Sequence, residues 1–218
     1  MNKDLERILA WAKVHSPQTL QHLNSPASDD DIRTVETEIG IKLPNILKEL
    51  LKQFDGEDGE TWLALLGNGN QLLSCKRIIE DYKIGQEAAE ENFDDEMDTV
   101  AYWKDRIECG IIFVKGNVKP LFLQPNWLPI TCMNGDVYRY LDFDPAPGGT
   151  EGQVIEVDME GCSYQVVADS LEEAFSMYAD QLESGKYKVE EDGYIELIEV
   201  GLENELSWGT PKWLKDIK

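Results

Sequence analysis

Residues 127–157 read WLPITCMNGDVYRYLDFDPAPGGTEGQVIEV, and this stretch decides the fold. Trp127-Leu128-Pro129-Ile130 opens a strand, with Pro129 at an edge because it has no N–H for a ladder. Asn134-Gly135 predicts a tight turn, since both residue types tolerate positive φ. Val137 to Phe143 is dense in β-branched and aromatic residues and predicts the returning strand. Asp144-Pro145 and Pro147-Gly148-Gly149 exclude helix and predict a rigid loop. From Gln153 to Met159 the chain alternates: Ile155, Val157 and Met159 share one face, Glu156 and Asp158 the other.

Working outward, Leu5, Ile8, Leu9 and Ala12 repeat at helical spacing over residues 4–15. Pro17 stops that helix and Asn24-Ser25-Pro26 is loop. Ser28 and Asp31 form a capping-box pattern that starts a second helix. Ile32, Val35 and Ile39 supply its buried stripe and Gly40 its C-terminal stop. Pro44 suits the first turn of a third helix, which buries Ile46, Leu47, Leu50 and Leu51 and ends at Phe54. Two apolar runs, 62–66 and 71–73, flank a turn. Cys75 to Glu91 reads as helix, 92–98 as an acidic loop, and Thr99 to Arg106 as a short helix carrying Trp103. Ile111 to Val114 and Val118 to Leu123 read as a hairpin around Lys115-Gly116-Asn117. Ser163 to Ala168 is a further strand. Ser170 and Glu173 repeat the capping pattern before a helix marked by Leu171, Ala174, Phe175, Tyr178 and Leu182. Lys186 to Val189 reads as a strand, and Tyr194 to Val200 fits either a strand or a helix start. Helices, then strands, then a helix predict an α+β fold, with helices packed on a mainly antiparallel β-sheet.

The chain resembles the SUKH superfamily, which includes yeast cell-wall-assembly and glucan-synthesis regulators and many bacterial immunity proteins. The residues that carry the resemblance, besides 127–157, are Ile32, Glu36, Gly40, Leu43 and Pro44, then Phe54-Asp55-Gly56. Leu72-Leu73-Ser74 with Ile78, and Val167-Ala168-Asp169-Ser170-Leu171, complete the set. At the central turn the chain departs from the family pattern, with Thr131 and Gly135-Asp136 standing there. The resemblance spans roughly residues 28–184. It implies one SUKH-like domain over 1–218, with an N-terminal helical segment at 1–27 and a C-terminal extension at 185–218. It also implies a protein-binding module without catalysis: an immunity protein that blocks a toxin, often a nuclease or deaminase, or a regulatory scaffold.

Composition narrows the partner. The 218 residues carry 43 acidic and 20 basic side chains, a net charge of −23, with 42% hydrophobic residues that include six Trp, eight Tyr and six Phe. That apolar content is enough for a packed core. The acidity opposes binding to nucleic acid, whose phosphates attract Lys and Arg, and to anionic membrane surfaces. It favours a basic protein partner, because opposite fields speed encounter; the bland alternative is that the charge serves solubility. There is no apolar run long enough to span a bilayer, and the N-terminus lacks the layout of a signal peptide. The cysteines at 75, 109, 132 and 162 form no C-x-x-C pair and read as reduced, core or partly buried thiols. These features point to the cytoplasm.

No motif for bond chemistry emerges. The only two histidines, His15 and His22, flank Pro17, and no G-x-S-x-G is present. No Cys or His spacing suits zinc. Asp142 and Asp144 resemble the start of a calcium loop, but Pro145 and Pro147 break its liganding pattern. Gly67 and Gly69 lack the rest of a phosphate cradle. Among 43 acids, no carboxylate pair stands out for glycoside hydrolysis. The expectation is therefore no cofactor, no metal and no small-molecule substrate. Trp62, Trp103 and Trp127 read as core. Trp208 and Trp213 read as a tail fastened to its own domain, with an exposed interface anchor as the alternative. The candidate partner-binding residues are acids expected in loops: Asp55, Glu57, Asp58 and Glu60; Asp94, Asp95, Glu96 and Asp98; and Asp142 and Asp144.

Overall fold

The computed structural model describes residues 2–58, 66, 69–92, 99–121, 125–191, 193–198 and 210–216, the side chains at 89, 91 and 92 excepted. The helices are α1 (Lys3–His15), α2 (Asp29–Ile39), α3 (Asn45–Leu51), α4 (Cys75–Asn92), α5 (Val100–Glu108), α6 (Leu171–Glu183) and α7 (Lys212–Asp216). The strands are β1 (Gln71–Leu72), β2 (Phe113–Lys115), β3 (Trp127–Met133), β4 (Val137–Asp142), β5 (Gln153–Asp158), β6 (Ser163–Ala168), β7 (Tyr187–Val189) and β8 (Ile195–Leu197). Six strands form one sheet in the order β1-β3-β4-β5-β6-β2, and β7 pairs with β8 apart from it. Every described pairing is antiparallel except β2 with β6. This is the α+β architecture the sequence predicts.

Local chemistry sets the boundaries. Ser28 and Asp31 complete a reciprocal capping box at α2, and Gly40 ends it at φ 80°. At α6 the second box is looser. The Ser170 hydroxyl accepts from the Glu173 N–H, but the Glu173 carboxylate takes the N–H of Asp169. The β3–β4 turn is left-handed at both central residues, Asn134 at φ 56° and Gly135 at φ 86°. Pro129 pairs with Tyr140 of β4, and the two-residue β1 reaches only Thr131 and Cys132 of β3. The proline thus lies where that side of β3 has no strand partner among the described residues.

Alternation on the strands makes two cores. Leu128, Leu141 and Val154 join Ile130 and Ala168 against α1, α2, α3 and α6. Their neighbours Trp127, Tyr140 and Ile155, with Val157 and Tyr164, pack against Trp103 and Ile107 of α5 and Trp213 and Leu214 of α7. Trp213 meets Trp103 edge-on and donates through Nε1 to the Gly116 carbonyl, so this part of the tail is fastened to the domain. Trp62 and Trp208 lie outside the described residues.

The sequence misjudges the hairpin at 111–123. Phe113 to Lys115 forms β2, but it runs parallel to β6, and 118–121 forms no strand. The physical reason is the Pro-Gly loop. The Asn117 carbonyl accepts from the Ala146 N–H and from Gln153 Nε2, and Asn117 Nδ2 donates to the Gly148 carbonyl. These bonds hold the chain after Gly116 along 145–149 and away from β2. Helix α3 also stops at Leu51, short of Phe54, although Phe54 remains buried. Tyr194 to Val200 resolves as a strand at Ile195–Leu197.

Candidate functional site

The five described residues among the ten predicted contact acids do not form one exposed surface. Glu60, Asp94, Asp95, Glu96 and Asp98 lie outside the described residues. Asp55 is half-buried: its Oδ1 accepts the Cys75 N–H at 2.7 Å and so caps α4. Glu57 is buried at 5% exposure, and its Oε2 accepts the Leu72 N–H at 2.8 Å. Between them Gly56 sits at φ 76°, packed so closely that a Cβ would stand 2.4 Å from the Ser74 nitrogen. The Phe54–Glu57 turn therefore ties α3 to β1 and α4, and its acids satisfy backbone donors. Among the described residues of this group Asp58 alone is exposed, and its own N–H donates to the His22 carbonyl at 2.8 Å.

Asp142 is likewise interior, with no exposed surface. Its Oδ1 accepts from Trp127 Nε1 at 3.1 Å and from the Asp144 N–H at 3.0 Å, and its Oδ2 accepts from Gln153 Nε2 at 3.0 Å. Burial raises its pKa above the ordinary aspartate value, against the pull of those three donors. The loop acids Glu57 and Asp142 were expected at the surface. They are inside because each closes a buried donor that would otherwise lack a partner. Asp144 is half-buried and salt-bridged to Lys119 at 2.6 Å.

Much of the exposed acidity of the described residues sits on helices. Asp29, Asp30, Asp31 and Glu38 lie on α2. Helix α6 carries Glu172, Glu173, Asp180 and Glu183 and no basic residue. Arg7 of α1 bridges Asp180 at 2.6 Å and Glu183 at 2.5 Å, leaving Glu172 and Glu173 as its forward acidic end. The sequence signal for this face was available in the spacing of α6, where the buried positions carry apolar or aromatic side chains and four of the seven others carry acids.

Beneath α6 a polar row crosses the sheet. Arg139 of β4 pairs with Glu156 of β5, which pairs with Gln165 of β6. Arg139 donates to Glu156 Oε2 from Nε at 2.9 Å and from Nη2 at 2.7 Å, and from Nη1 to the Leu66 carbonyl. Gln165 Nε2 donates to Glu156 Oε1 at 2.7 Å. A cavity of about 140 Å³ opens above this row, between α6 and the β7–β8 hairpin. Among the described residues no cluster of His, Cys, Asp or Glu is arranged to hold a metal ion, and no helix is long and apolar enough to cross a membrane. The four cysteines are free: Cys75 and Cys132 buried, Cys162 half-buried, and Cys109 exposed, unlike the expected partly buried thiol.

Three relatives place these features in context. The cell wall assembly regulator SMI1 of Saccharomyces cerevisiae is 22% identical over 214 residues, which cover 86% of this chain and 42% of that protein. The glucan synthesis regulatory protein of Neurospora crassa is 23% identical, covering 86% of this chain and 39% of its own. The cell wall biosynthesis/cell cycle regulator smi1 of Schizosaccharomyces pombe is 26% identical, covering 88% and 38%. The chain thus matches about two fifths of the length of each of these regulators. The model of the SMI1/KNR4 family (SUKH-1) matches residues 26–177, from the start of α2 into α6 and including both sheet faces. The chain belongs to the SMI1/KNR4 (SUKH-1) family.

Proposed function

We propose that this chain is a non-catalytic protein-binding module of the regulatory kind its relatives' names describe, serving cell-wall assembly or glucan synthesis. The observation that carries this reading is the family match over 26–177, together with relatives named as regulators. Its partner is a basic protein, drawn to a chain of net charge −23. Binding acts by occlusion or positioning, without bond chemistry. The same charge supports a second reading, in which the partner is a cationic nuclease or deaminase toxin that the module neutralises.

One experiment separates the readings. The purified chain is used to recover partners from extracts of its native host, and each partner is assayed alone and in complex. A basic partner with no nuclease or deaminase activity of its own supports the regulator. A partner whose such activity vanishes in the complex moves the toxin reading ahead. A saturable hydrolytic rate of the chain itself, lost on one Asp or Glu substitution, contradicts both.

A further inference from the structure

We propose that the cavity between α6 and the β7–β8 hairpin receives one apolar side chain, of methionine or leucine size, from a short basic segment of the partner, while a backbone carbonyl of that segment accepts from Arg139. This rests on the reading of the chain as a module for a basic protein, and it names where that partner docks.

The size of the cavity, about 140 Å³, is the first argument. Pockets for cofactors and small molecules run to roughly 300–1,000 Å³, so this one suits a single side chain. Two apolar side chains stand exposed at its mouth, Met177 of α6 at 40% and Leu197 of β8 at 38%, while Arg139 and Gln181 make part of its lining polar. A flexible thioether at such a rim adapts its shape to an incoming side chain.

The floor is the second argument. Arg139 is only 4% exposed and lines the cavity. A guanidinium has five N–H groups. Three are spent, two on Glu156 and one on the Leu66 carbonyl. One N–H on each terminal nitrogen is left over among the described residues, and an unspent buried donor has a cost that an incoming acceptor removes. That acceptor is neutral. Glu156 already balances the arginine, so a carboxylate would bring an uncompensated charge into a buried site. A backbone carbonyl satisfies the donor without one.

The third argument is charge. Of the four acids on α6, Asp180 and Glu183 are paired with Arg7 of α1, which leaves Glu172 and Glu173 for a basic segment. Glu173 lies one helical turn before Met177, on the same side of the helix. On the opposite wall Lys188 is held by Glu190 at 2.6 Å and Glu196 at 2.9 Å. Lysines or arginines flanking the inserted side chain meet the acids of α6.

The test selects a phage-displayed library of random twelve-residue peptides on the full chain, then measures the enriched peptides by fluorescence anisotropy against Met177→Glu, Leu197→Glu and Arg139→Gln. The expected result is a shared Met or Leu beside Lys or Arg. Met177→Glu and Leu197→Glu, both at exposed positions, should weaken binding at least tenfold with the melting temperature unchanged. Arg139→Gln should weaken it as well, provided its near-UV circular dichroism matches that of the parent. Absence of any enriched motif overturns the proposal. Basic peptides that bind both rim variants as tightly as the parent overturn the cavity and leave the basic-partner reading standing. Acidic peptides that require Met177 overturn that reading, and with it the basic segment proposed here.

Discussion

At the scale of single residues, Trp127 and Asp142 form the best-defined unit. Trp127 is 1% exposed and packs among Tyr140 and Tyr164 of the second core. Trp127→Ala should cost about 3–5 kcal/mol in a denaturant melt, the range for large aromatic losses in a core; a loss well under ~1 kcal/mol would remove Trp127 from that core. Asp142→Ala leaves the buried Trp127 N–H and the Asp144 N–H without acceptors, at about 1–3 kcal/mol for each unmade bond. Asp142→Asn keeps an acceptor for both but sets its NH2 against Gln153 Nε2, which retains the Asn117 carbonyl at 2.9 Å, so it should cost less than Asp142→Ala in the same melt. A raised carboxyl pKa weakens the fold while the group is charged and ceases to do so as pH falls through the folded value. Asp142→Asn should therefore narrow the stability gap to the parent as pH rises, and a widening gap would contradict the assignment.

Glu36 shows the opposite sign. Its carboxylate takes Lys48 at 2.7 Å, Lys42 at 3.2 Å and the Leu43 N–H at 3.0 Å, which joins α2 to α3. Lys48 leads in holding its pKa down to about 2, below the ordinary value of 4.5. A depressed carboxyl pKa stabilises the fold above the unfolded value, and that stability is lost as pH falls through the folded one. Glu36→Gln should thus cost stability at pH 7 and nothing below pH about 2, measured as the difference between two acid titrations of the melting midpoint. A difference independent of pH would place the role of Glu36 in packing.

At the scale of elements, the sequence is legible where a local pattern and a buried face agree. The capping box at Ser28, the stop at Gly40, the β3–β4 turn and the apolar spacing of α6 all fall where local rules put them. The 111–123 hairpin fails because its local pattern was satisfied by distant partners: β2 found β6, and Asn117 found the Pro-Gly loop. Asp55 and Glu57 turn inward for a related reason. Spacing shows that Asp55-Gly56-Glu57 is a turn, but not that α4 and β1 will present backbone donors to both carboxylates. Gly56→Ala tests that packing, since a Cβ at φ 76° would stand 2.4 Å from the Ser74 nitrogen. It should lower the melting temperature by more than the roughly 2–4 °C that about 1 kcal/mol gives a chain of this length. An unchanged melt would mean the turn can move aside.

At the scale of the molecule, charge is the property that ties fold to function. With 43 acids against 20 bases, much of the acidity must remain outside the ion pairs. On α6 it gathers beside a sheet whose two faces are already covered by helices, leaving the outer surface of the helical layer for a partner. The composition sets the sign of the field, but the fold sets its place: Glu57 and Asp142 turn inward, while Glu172 and Glu173 of α6 stay exposed. Lysine replacement at Glu172 and Glu173 removes the Glu173 bond to the Asp169 N–H and two acids from the first turn of α6, so it should cost about 1–2 kcal/mol of stability, leave the chain folded, and slow association. The most direct measurement is the association rate of the recovered host partner with the parent chain, taken by stopped flow from low salt to well above physiological ionic strength. Charge steering predicts a basic partner whose on-rate falls at least tenfold over that range and falls less steeply with the Glu172→Lys, Glu173→Lys chain. A tight acidic partner with an on-rate indifferent to salt would contradict the account.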